Sequence, residues 1–526
     1  MIEKKLKKWI QIAVLTTLVI FILSGCGTTS NLQATNDDQT SESVSSNENN
    51  MTMNDEQTTD EQTSEAVNPS VTDFADERYS LTVASDLHVL APDFMGNNSV
   101  FEAFVSSGDG KLIQYAPEII GAMLDKVNTD LLILSGDLTT HGEKASHQWL
   151  ADQLKALEAK TGTRVFVIPG NHDVDNPYAR DFSSGKQVVA ESVTPNEFAS
   201  IYGAFGYDEA WSRDPNSLSY VIQLDKDYYL LMLDTCKYED NQSLGYPVKS
   251  GDIRPETLKW LDEVAQEIKV EAPEGATVIS SSHHNLVSHS PVHDKGFVID
   301  HAERGLEVIN KLGIKLNFSG HIHIQDIVSV KLSEEDLEVG SNQDLTEDST
   351  EDSTEVSNQD SIGDLKEVFN DESIFTEVVS GSLIQYPQTF GVAKVSSDRV
   401  VYQTQWVDMA NYLLTHEIDN DKKYVFLNAF QSNAELKFRA DSVALIDASL
   451  LKRHSKEEVD AMLSVFADLN EAYFAGTDSD EERKEAIRNG KGYALWTQEE
   501  EGFLSGYVES MLLDTSDDNF YEGDLR

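Results

Sequence analysis

The sequence predicts an α/β fold for residues 77–408, because apolar runs typical of strands alternate with helical stretches along this segment. Within the helical stretches, apolar residues recur every three or four positions, as on the buried face of an amphipathic helix. Two further apolar runs are separated by the polar residues 225–227, which indicates a hairpin. Parallel units mixed with a hairpin favour a layered arrangement of sheets and helices. The strand-like runs are residues 81–84, 131–134, 165–168, 277–280 and 315–318, the hairpin runs are 218–224 and 228–233, and the helical stretches are 117–127, 143–159, 255–268 and 305–312.

Short polar motifs follow most of the strand-like runs. In an α/β sheet, residues just beyond the carboxyl ends of the strands converge on one crevice. Asp, Asn and His side chains supply the donors that suit hard to borderline divalent metals. His321 and His323 are two positions apart, as are Asp86 and His88, so in extended backbone each pair would point to one face. The sequence therefore predicts a polynuclear metal site at one edge of a sheet. The motifs are Asp86-Leu87-His88, Gly136-Asp137, Gly170-Asn171-His172-Asp173, His283-His284 and Gly320-His321-Ile322-His323.

The order of these motifs resembles that of the calcineurin-like metallophosphoesterase superfamily, from about residue 79 to residue 407. The resemblance implies a four-layer α/β/β/α sandwich and an enzyme that hydrolyses phosphodiester bonds of small phosphate esters by attack of a metal-activated hydroxide. Two further segments resemble the class III cyclic-nucleotide phosphodiesterase branch, which makes cyclic nucleotides the expected substrates. A phosphomonoesterase or pyrophosphatase acting on another extracellular substrate, and a surface lipoprotein that binds without catalysis, are the alternatives. The two segments are Gly136-Asp137-Leu138-Thr139 with Gly142-Glu143, and Ser380-Gly381-Ser382-Leu383 with Tyr386-Pro387.

The same resemblance assigns metal ligands by position in the motifs. It implies two divalent or trivalent ions, Mn²⁺ and/or Fe²⁺/Fe³⁺ with Zn²⁺ as a further candidate, joined by a bridging carboxylate. The fourth motif departs from the pattern of the branch, which reads His-His-Pro where this chain reads His283-His284-Asn285. Either His283 or His284 is therefore open as the ligand. The implied ligands are Asp86, His88 and His323 for one ion, Asn171, His283 and His321 for the other, and Asp137 for the bridge.

His172 is assigned a different role from its neighbours. With Asn171 on a metal, the His172 imidazole would lie over the substrate and protonate the leaving alkoxide, a task for a group whose pKa is near neutrality. Asp173 would orient His172 or a ligand, or serve only the local turn. Arg180 would either bind a substrate phosphate or pair with Asp181. Three other histidines match no ligand pattern and are interpreted as loop residues: His289, His293 and His301.

The amino terminus has the form of an export signal. Four of the first eight residues are lysine, an apolar run follows at residues 10–23, and Leu23-Ser24-Gly25-Cys26 resembles a bacterial lipobox. Residues 1–26 are therefore predicted to be a lipoprotein signal, with lipidation at Cys26. An uncleaved signal anchor is the alternative, although the run is short for a membrane span. The expected location is the outer face of the bacterial cytoplasmic membrane, with the lipid as the membrane anchor.

Composition limits the partners and the sources of stability. The chain has 526 residues and a net charge of −52, from 40 basic and 92 acidic residues. This balance argues against binding to a nucleic-acid duplex, which requires a basic surface. Residues 27–76 and the acidic insertion 332–366 are polar and low in complexity, so a disordered tether and a solvated loop are expected. Cys26 and Cys236 are the only cysteines, so no intrachain disulfide is expected once Cys26 carries lipid, and Cys236 is interpreted as a buried structural thiol.

Residues 409–526 are predicted to form a small all-α domain, because helical periodicity continues there and strand-like runs stop. Ser455 and Glu458 have the spacing of a capping box, which marks the start of one helix. The aromatic and apolar residues of this segment are expected to form its core. The predicted helices are residues 425–436, 455–473, 480–489 and 497–513.

Overall fold

The computed structural model describes residues 74, 76–107, 110–290, 295–332, 374–418, 420–499, 502–514 and 516–525. The predicted signal with Cys26, nearly all of the tether, the insertion beyond residue 332 and His293 lie outside these residues. The strands are β1 (Tyr79–Ala84), β2 (Leu131–Ser135), β3 (Arg164–Ile168), β4 (Arg180–Asp181), β5 (Val188–Val189), β6 (Ser212–Arg213), β7 (Tyr220–Asp225), β8 (Tyr228–Leu233), β9 (Thr277–Ser282), β10 (Leu316–Ser319), β11 (Asp326–Lys331), β12 (Ile374–Val379), β13 (Thr389–Val395), β14 (Arg399–Trp406) and β15 (Phe520–Asp524).

The helices include all four that the apolar spacing predicts in the catalytic segment, with ends that differ by a few residues. Pro255 stands at the first helical position of its helix, where its missing N–H leaves no hydrogen bond unmade. The helices are α1 (Ser99–Ser106), α2 (Ala116–Leu124), α3 (Lys144–Thr161), α4 (Pro195–Ile201), α5 (Asn241–Leu244), α6 (Pro255–Glu271), α7 (Ala302–Lys311), α8 (Met409–Thr415), α9 (Asp421–Asn428), α10 (Phe430–Leu450), α11 (Lys456–Phe474), α12 (Glu481–Arg488), α13 (Lys491–Trp496) and α14 (Phe503–Leu513).

Two mixed sheets pack face to face. The first has the strand order β15-β14-β13-β1-β2-β3, and the second has the order β11-β12-β10-β9-β8-β7-β6. The strands β1, β2 and β3 are parallel, as are β8, β9, β10 and β12. The predicted hairpin is the antiparallel pair β7–β8. The Tyr220 hydroxyl donates to the carbonyl oxygen of Val167 at 2.9 Å, which joins the second sheet to the first.

Both faces of the central strands are buried, and alternate side chains of β8 enter different layers. Tyr229 and Leu231 belong to a core shared with Trp260 of α6, whereas Leu230 and Met232 belong to the core between the sheets. The helices α6 and α7 cover the second sheet, and α2 and α3 pack against the core of the first. The four-layer α/β/β/α arrangement is thereby confirmed. Burial of both faces explains why β2, β3 and β8 carry continuous apolar runs rather than alternating ones.

The carboxyl-terminal segment is helical over most of its length, but two details of its prediction were wrong. The predicted helix 425–436 is broken at Ala429, between α9 and α10. The chain then ends in a strand, since β15 pairs antiparallel with β14 and completes the first sheet. This strand was missed because Phe520–Asp524 contains Glu, Gly and Asp, and its pairing depends on an edge that only the folded chain offers.

The structure also shows the environment of Cys236 and the lengths of the apolar helices. Cys236 is buried, its thiol donates to the Pro169 carbonyl oxygen at 3.4 Å, and burial raises its pKa, as expected of a structural thiol. Within the part of the chain that the structure describes, no helix is both long enough and apolar enough to span a bilayer.

Candidate active site

The five polar motifs meet at the carboxyl ends of five strands. Three of the motifs follow β1, β2 and β3 of the first sheet, and two follow β9 and β10 of the second. The sequence predicted one edge of one sheet, and this was wrong because the crevice is formed jointly by two sheets packed face to face. The reason for convergence is unchanged, since loops at the ends of parallel strands share one edge.

The backbone of the motifs is left-handed where an extended form was expected. Asp86, His88, Asp137, His321 and His323 have φ between 39° and 71°. Non-glycine residues in this region cost free energy and are held there by surrounding contacts, a pattern concentrated at functional sites. The expectation of extended backbone was therefore wrong, although His321 and His323 do line the same cleft, as predicted. Within that cleft, each of the two side chains enters a different group of ligand-type residues.

Two glycines permit the close approach of these loops. Gly136 has a φ of 90°, and a Cβ there would lie 2.6 Å from Nδ1 of His283. A Cβ at Gly320 would lie 1.9 Å from Oγ of Ser85 and 2.5 Å from Oδ2 of Asp86. Any side chain at either position would push a ligand-type residue away. Glycine therefore precedes Asp137 and His321 because no side chain fits at these two positions.

The first group contains Asp86, His88, Asp137 and His323, with ligand atoms within 4.8 Å of one another. Nε2 of His323 lies 3.1 Å from Oδ1 of Asp86 and 3.3 Å from Nε2 of His88. Nε2 of His88 lies 3.7 Å from Oδ2 of Asp137. Oδ1 of Asp86 is buried and has no hydrogen-bond partner among the described residues. A buried carboxylate oxygen facing two imidazole nitrogens fits a metal cation.

The second group lies beside the first and shares Asp137. Nε2 of His283 is 3.5 Å from Oδ1 of Asp137 and 3.2 Å from Oδ1 of Asn171. His283, His284 and His321 also lie within 4.8 Å of one another. However, the His284 ring contacts the Thr235 hydroxyl through Nδ1 at 2.8 Å and a carbonyl oxygen through Nε2 at 2.7 Å. Both nitrogens of His284 are engaged, so the geometry favours His283 as the ligand.

The remaining ring nitrogens are held by acceptors, as is usual for histidines that bind metals. Nδ1 of His283 donates to the Ser135 carbonyl oxygen at 2.8 Å, and Nε2 of His321 donates to the Gly296 carbonyl oxygen at 2.9 Å. Nδ1 of His323 contacts Oε1 of Gln385 at 2.8 Å. These contacts fix the rings and leave Nε2 of His283, Nδ1 of His321 and Nε2 of His323 for a ligand.

The Asp173 carboxylate connects two of the loops, and it contacts backbone N–H groups rather than the His172 ring. Its carboxylate accepts backbone N–H groups from Gly170, Leu138 and Thr139 at 2.8–3.0 Å. Burial and the charge of Asp137 raise the pKa of Asp173 to about 7. Both earlier interpretations of Asp173 are thus partly met, since it closes a turn and ties the Asn171 loop to the Asp137 loop.

His172 opens onto the site without joining either group. Its Nδ1 donates to the Thr140 carbonyl oxygen at 2.7 Å, and its Nε2 lies 3.9 Å from Oδ2 of Asp137. The His141 ring stacks on it with an interplanar angle of 14°. Burial lowers the pKa of His172 well below its usual value and lowers that of His141 to about 3. In the protein without ligands, both imidazoles are therefore neutral near pH 7.

Neighbouring charges set the protonation of the carboxylates. Burial would raise the pKa of Asp86 and Asp137, but the surrounding imidazoles, among them His323 for Asp86 and His283 for Asp137, hold both well below their usual range. Burial would likewise lower the pKa of His283, yet Asp137 raises it to about 9. The carboxylates are thus anionic at neutral pH, the state in which they bind metals.

A cleft of about 240 Å³ opens above both groups and is lined by three lysines, Lys111, Lys249 and Lys295. Phe297 adds an aromatic surface beside them. This local positive charge contrasts with the net charge of −52 for the whole chain. Arg180 does not contribute to this lining, because its guanidinium donates to the carbonyl oxygens of Pro177 and Ala179. The expected pair of Arg180 with Asp181 is not formed either.

Sequence analysis missed Lys111, His141 and Gln385. Lys111 is buried in the cleft, and its charge contributes to lowering the pKa of His88, His141 and His172. None of the three belongs to a periodic pattern or a spacing that indicates metal binding. His141 and Gln385 lay inside the two segments that were singled out, residues 136–143 and 380–387, whereas Lys111 lay near no detectable signal.

Two family models match separate parts of this chain. Residues 79–325 match the model of the calcineurin-like phosphoesterase family, and residues 410–518 match the C-terminal domain of cyclic nucleotide phosphodiesterase. This chain carries a calcineurin-like phosphoesterase domain. The phosphoesterase is thus a metallophosphoesterase hydrolase with a second, helical domain of the cyclic nucleotide phosphodiesterase type.

The phosphoesterase has a named relative and a solved structural neighbour. It is 22% identical over 255 residues to a protein named probable cyclic nucleotide phosphodiesterase from Moraxella catarrhalis strain BBH18, covering 48% of this chain and 74% of the relative. A crystal structure of a dimetal phosphatase from Danio rerio aligns with a TM-score of 0.37 at 12% identity, covering 63% of this chain and 98% of that one.

The helical domain of the phosphoesterase packs against the last motif, Gly320-His321-Ile322-His323. Ile322 and Ile324 belong to the core of this domain, together with Phe438, Phe466 and Tyr507. The histidines at 321 and 323 alternate with these two isoleucines and face the site. Packing of the helical domain therefore holds the loop that presents two ligand-type residues.

Proposed function

We propose that the phosphoesterase hydrolyses phosphodiester bonds and that cyclic nucleotides are its substrates. The observation that supports this most directly is the cleft, where two groups of metal ligands lie beneath three lysines and Phe297. Clefts lined by one sign of charge concentrate substrates of the opposite sign, here a phosphate ester. An aromatic side chain offers a nucleobase a stacking surface. The relative from Moraxella catarrhalis and the C-terminal domain match point to the same substrate class.

The residues fit a pair of metal ions. Asp86, His88 and His323 would hold one ion, Asn171, His283 and His321 would hold the other, and Asp137 lies between the two sets. Such ions polarise the phosphoryl oxygens and lower the pKa of a water molecule. The mixture of imidazole, amide and carboxylate donors suits Mn²⁺, iron or Zn²⁺.

His172 would supply the proton for the leaving oxygen. Its Nδ1–H is fixed on the Thr140 carbonyl oxygen, so its Nε2 is the nitrogen that faces the site. Burial disfavours the charged imidazole, and the negative charge of a bound phosphate ester would offset this cost. His172 would then hold a proton on Nε2 and transfer it to the departing alkoxide.

A substrate panel tests this proposal. The full-length protein, reconstituted with Mn²⁺, is assayed on cyclic AMP, cyclic GMP, bis-p-nitrophenyl phosphate, p-nitrophenyl phosphate and pyrophosphate. We expect hydrolysis of the diesters, with cyclic nucleotides turned over most efficiently. Preference for p-nitrophenyl phosphate or pyrophosphate would instead identify a monoesterase or a pyrophosphatase. Absence of turnover on the whole panel, with both metals bound, would favour a binding protein.

Lys111 is expected to contribute to substrate binding. Replacing it with methionine keeps most of the buried stem and removes the charge, so KM for a cyclic nucleotide should rise about tenfold, the cost of one lost charge-assisted hydrogen bond. Steady-state kinetics measure the change, with kcat reduced less than KM is raised. Lys155→Met on the exposed side of α3 is the matched control and should leave both constants unchanged. An unchanged KM in Lys111→Met would argue against contact with the phosphate.

We further propose that Cys26 is lipidated and anchors the phosphoesterase to the outer face of the cytoplasmic membrane. The support is the basic start, the apolar run 10–23 and the lipobox-like Leu23-Ser24-Gly25-Cys26. Two acyl chains, at about 0.8 kcal/mol for each buried methylene, suffice for stable anchoring.

Cys26→Ala tests this anchor. The variant should be released from membranes or remain an uncleaved precursor, and it should not incorporate labelled palmitate. Cys236→Ala is the control, because it removes the other cysteine and should retain the label. A processed Cys26→Ala protein that still sediments with membranes would contradict the anchor.

A further inference from the structure

A second set of carboxylates lies away from the active site, where three parts of the fold meet. Asp326 begins β11 of the second sheet, Asp514 follows α14 of the helical domain, and Asp518 precedes β15 of the first sheet. One carboxylate oxygen from each lies within 4.8 Å of the others. Carboxylates this close repel one another, so an arrangement of this kind needs a compensating charge.

The cluster also contains buried oxygens whose hydrogen-bonding capacity is unused. Asp478 is 2% exposed, and neither of its carboxylate oxygens has a partner among the described residues. Oδ1 of Asp326, which is 1% exposed, likewise has none in the described part of the chain. A carboxylate buried without partners is unfavourable as an anion unless it takes up a proton or a cation coordinates it.

Two basic side chains, His289 and Lys484, offset only part of the negative charge of these groups. His289, expected to be a loop residue, is instead buried between Asp326 at 2.8 Å and Glu377 at 3.2 Å. Lys484 is buried and donates to the backbone carbonyl oxygen of Asp514, not to its carboxylate. Burial and the charge of Asp514 raise the pKa of Asp478 to about 7, and burial with Asp326 raises that of Asp518. Both directions show that burial and the neighbouring carboxyls oppose ionisation of these groups, a cost that a coordinated cation would offset.

We propose that Asp326, Asp514 and Asp518 bind a calcium ion, with Asp478 beside it as a further oxygen donor. All of the donors are carboxylate oxygens, which favours a hard cation over the metals that histidines bind. Calcium accepts several carboxylates in a flexible geometry, whereas Mg²⁺ is usually held through one or two and keeps its waters. Asp514 is only half-buried, which leaves the ion a route from solvent.

The ion would fasten the helical domain to both sheets. The Asp518 carboxylate accepts the backbone N–H of Ile327 at 3.1 Å, and its carbonyl oxygen accepts Nε2 of Gln325 at 2.7 Å. Gln325 follows His323 by two residues. Calcium at this junction would therefore stabilise the packing that holds the last metal-binding motif in position.

Calcium binding and thermal unfolding of the full-length protein test the proposal. The protein is freed of bound metal on a chelating resin, loaded with Mn²⁺ to occupy the active site, and then titrated with Ca²⁺. Equilibrium dialysis with ⁴⁵Ca should detect a saturable equivalent, and the melting temperature should rise with Ca²⁺. In Asp518→Asn, which retains the acceptor oxygen for Ile327, the affinity should fall by at least about tenfold because one charged ligand is lost.

A double variant and a surface control separate calcium binding from general destabilisation. Asp478→Asn combined with Asp518→Asn removes two buried carboxyl groups that calcium would coordinate, so calcium should not raise the melting temperature of this variant. Asp460→Asn, on the exposed side of α11, should respond to calcium as the wild type does. Equal ⁴⁵Ca binding by the wild type and the double variant, or a wild-type response to Mg²⁺ but not to Ca²⁺, would overturn the proposal.

Discussion

Asp137→Asn is expected to lower phosphoesterase activity by at least about 10³-fold. The two carboxylate oxygens face different sets of ligand-type residues, with Oδ1 3.5 Å from His283 and Oδ2 3.7 Å from His88. Asparagine keeps the shape of the side chain but removes the charge, so binding of both ions should weaken. Elemental analysis after gel filtration should find less than the wild-type metal content, in parallel with the loss of kcat.

The structure also supplies a control for this substitution. Asp152 is exposed on α3, and Asp152→Asn makes the same chemical change away from the site. It should keep full metal content and activity. Circular dichroism should verify that Asp137→Asn retains its fold, since the backbone N–H of His172 donates to Oδ1 of Asp137 and asparagine preserves that acceptor. An Asp137→Asn protein with wild-type metal content and turnover would contradict a shared bridging carboxylate.

His172→Gln is expected to retain both metals and to lose about 10²- to 10⁴-fold in kcat, the usual contribution of a general acid. The ring contacts the Thr140 carbonyl oxygen and stacks on His141, and it belongs to neither group of ligands. A nitrophenolate leaves readily without a proton, whereas a sugar alkoxide needs one. The loss should therefore be much greater for cyclic AMP than for bis-p-nitrophenyl phosphate.

The dependence on the leaving group separates acid catalysis from a structural effect. His416→Gln replaces an exposed histidine on the surface and should change neither substrate's turnover. Metal content measured in His172→Gln should equal that of the wild type. If the rate falls equally for both substrates, His172 binds or positions the phosphate but does not protonate the leaving oxygen.

The sequence alone determined the strands that precede the five polar motifs, the β7–β8 hairpin, the main helices of the catalytic segment and the identity of the side chains that gather at the crevice. The apolar runs before Asp86, Asp137 and Asn171 are short and continuous, because strands buried on both faces need apolar side chains on each. Polar residues that directly follow such a run lie at the carboxyl end of the strand that the run forms. Local pattern was therefore sufficient to find them.

Only the tertiary structure decided how those residues divide into two groups of metal ligands and which other residues complete the site. His321 and His323 enter different groups because their backbone is left-handed, and His284 is withdrawn because Thr235 and the carbonyl oxygen of Lys249 engage both of its nitrogens. The backbone conformation of a loop and the partner of a ring nitrogen depend on residues distant in the chain, which no local periodicity records.

The carboxyl-terminal part of the chain gives the clearest contrast between what the sequence determines and what the tertiary structure determines. Its helices follow from spacing and from the capping box at Ser455, which is formed as predicted. The strand β15 and the junction of Asp326 with Asp518 do not follow from local sequence. They join residues separated by nearly the whole helical domain. Sequence periodicity reports which face of an element is buried, whereas the choice of partner is made by shape and charge across the folded chain.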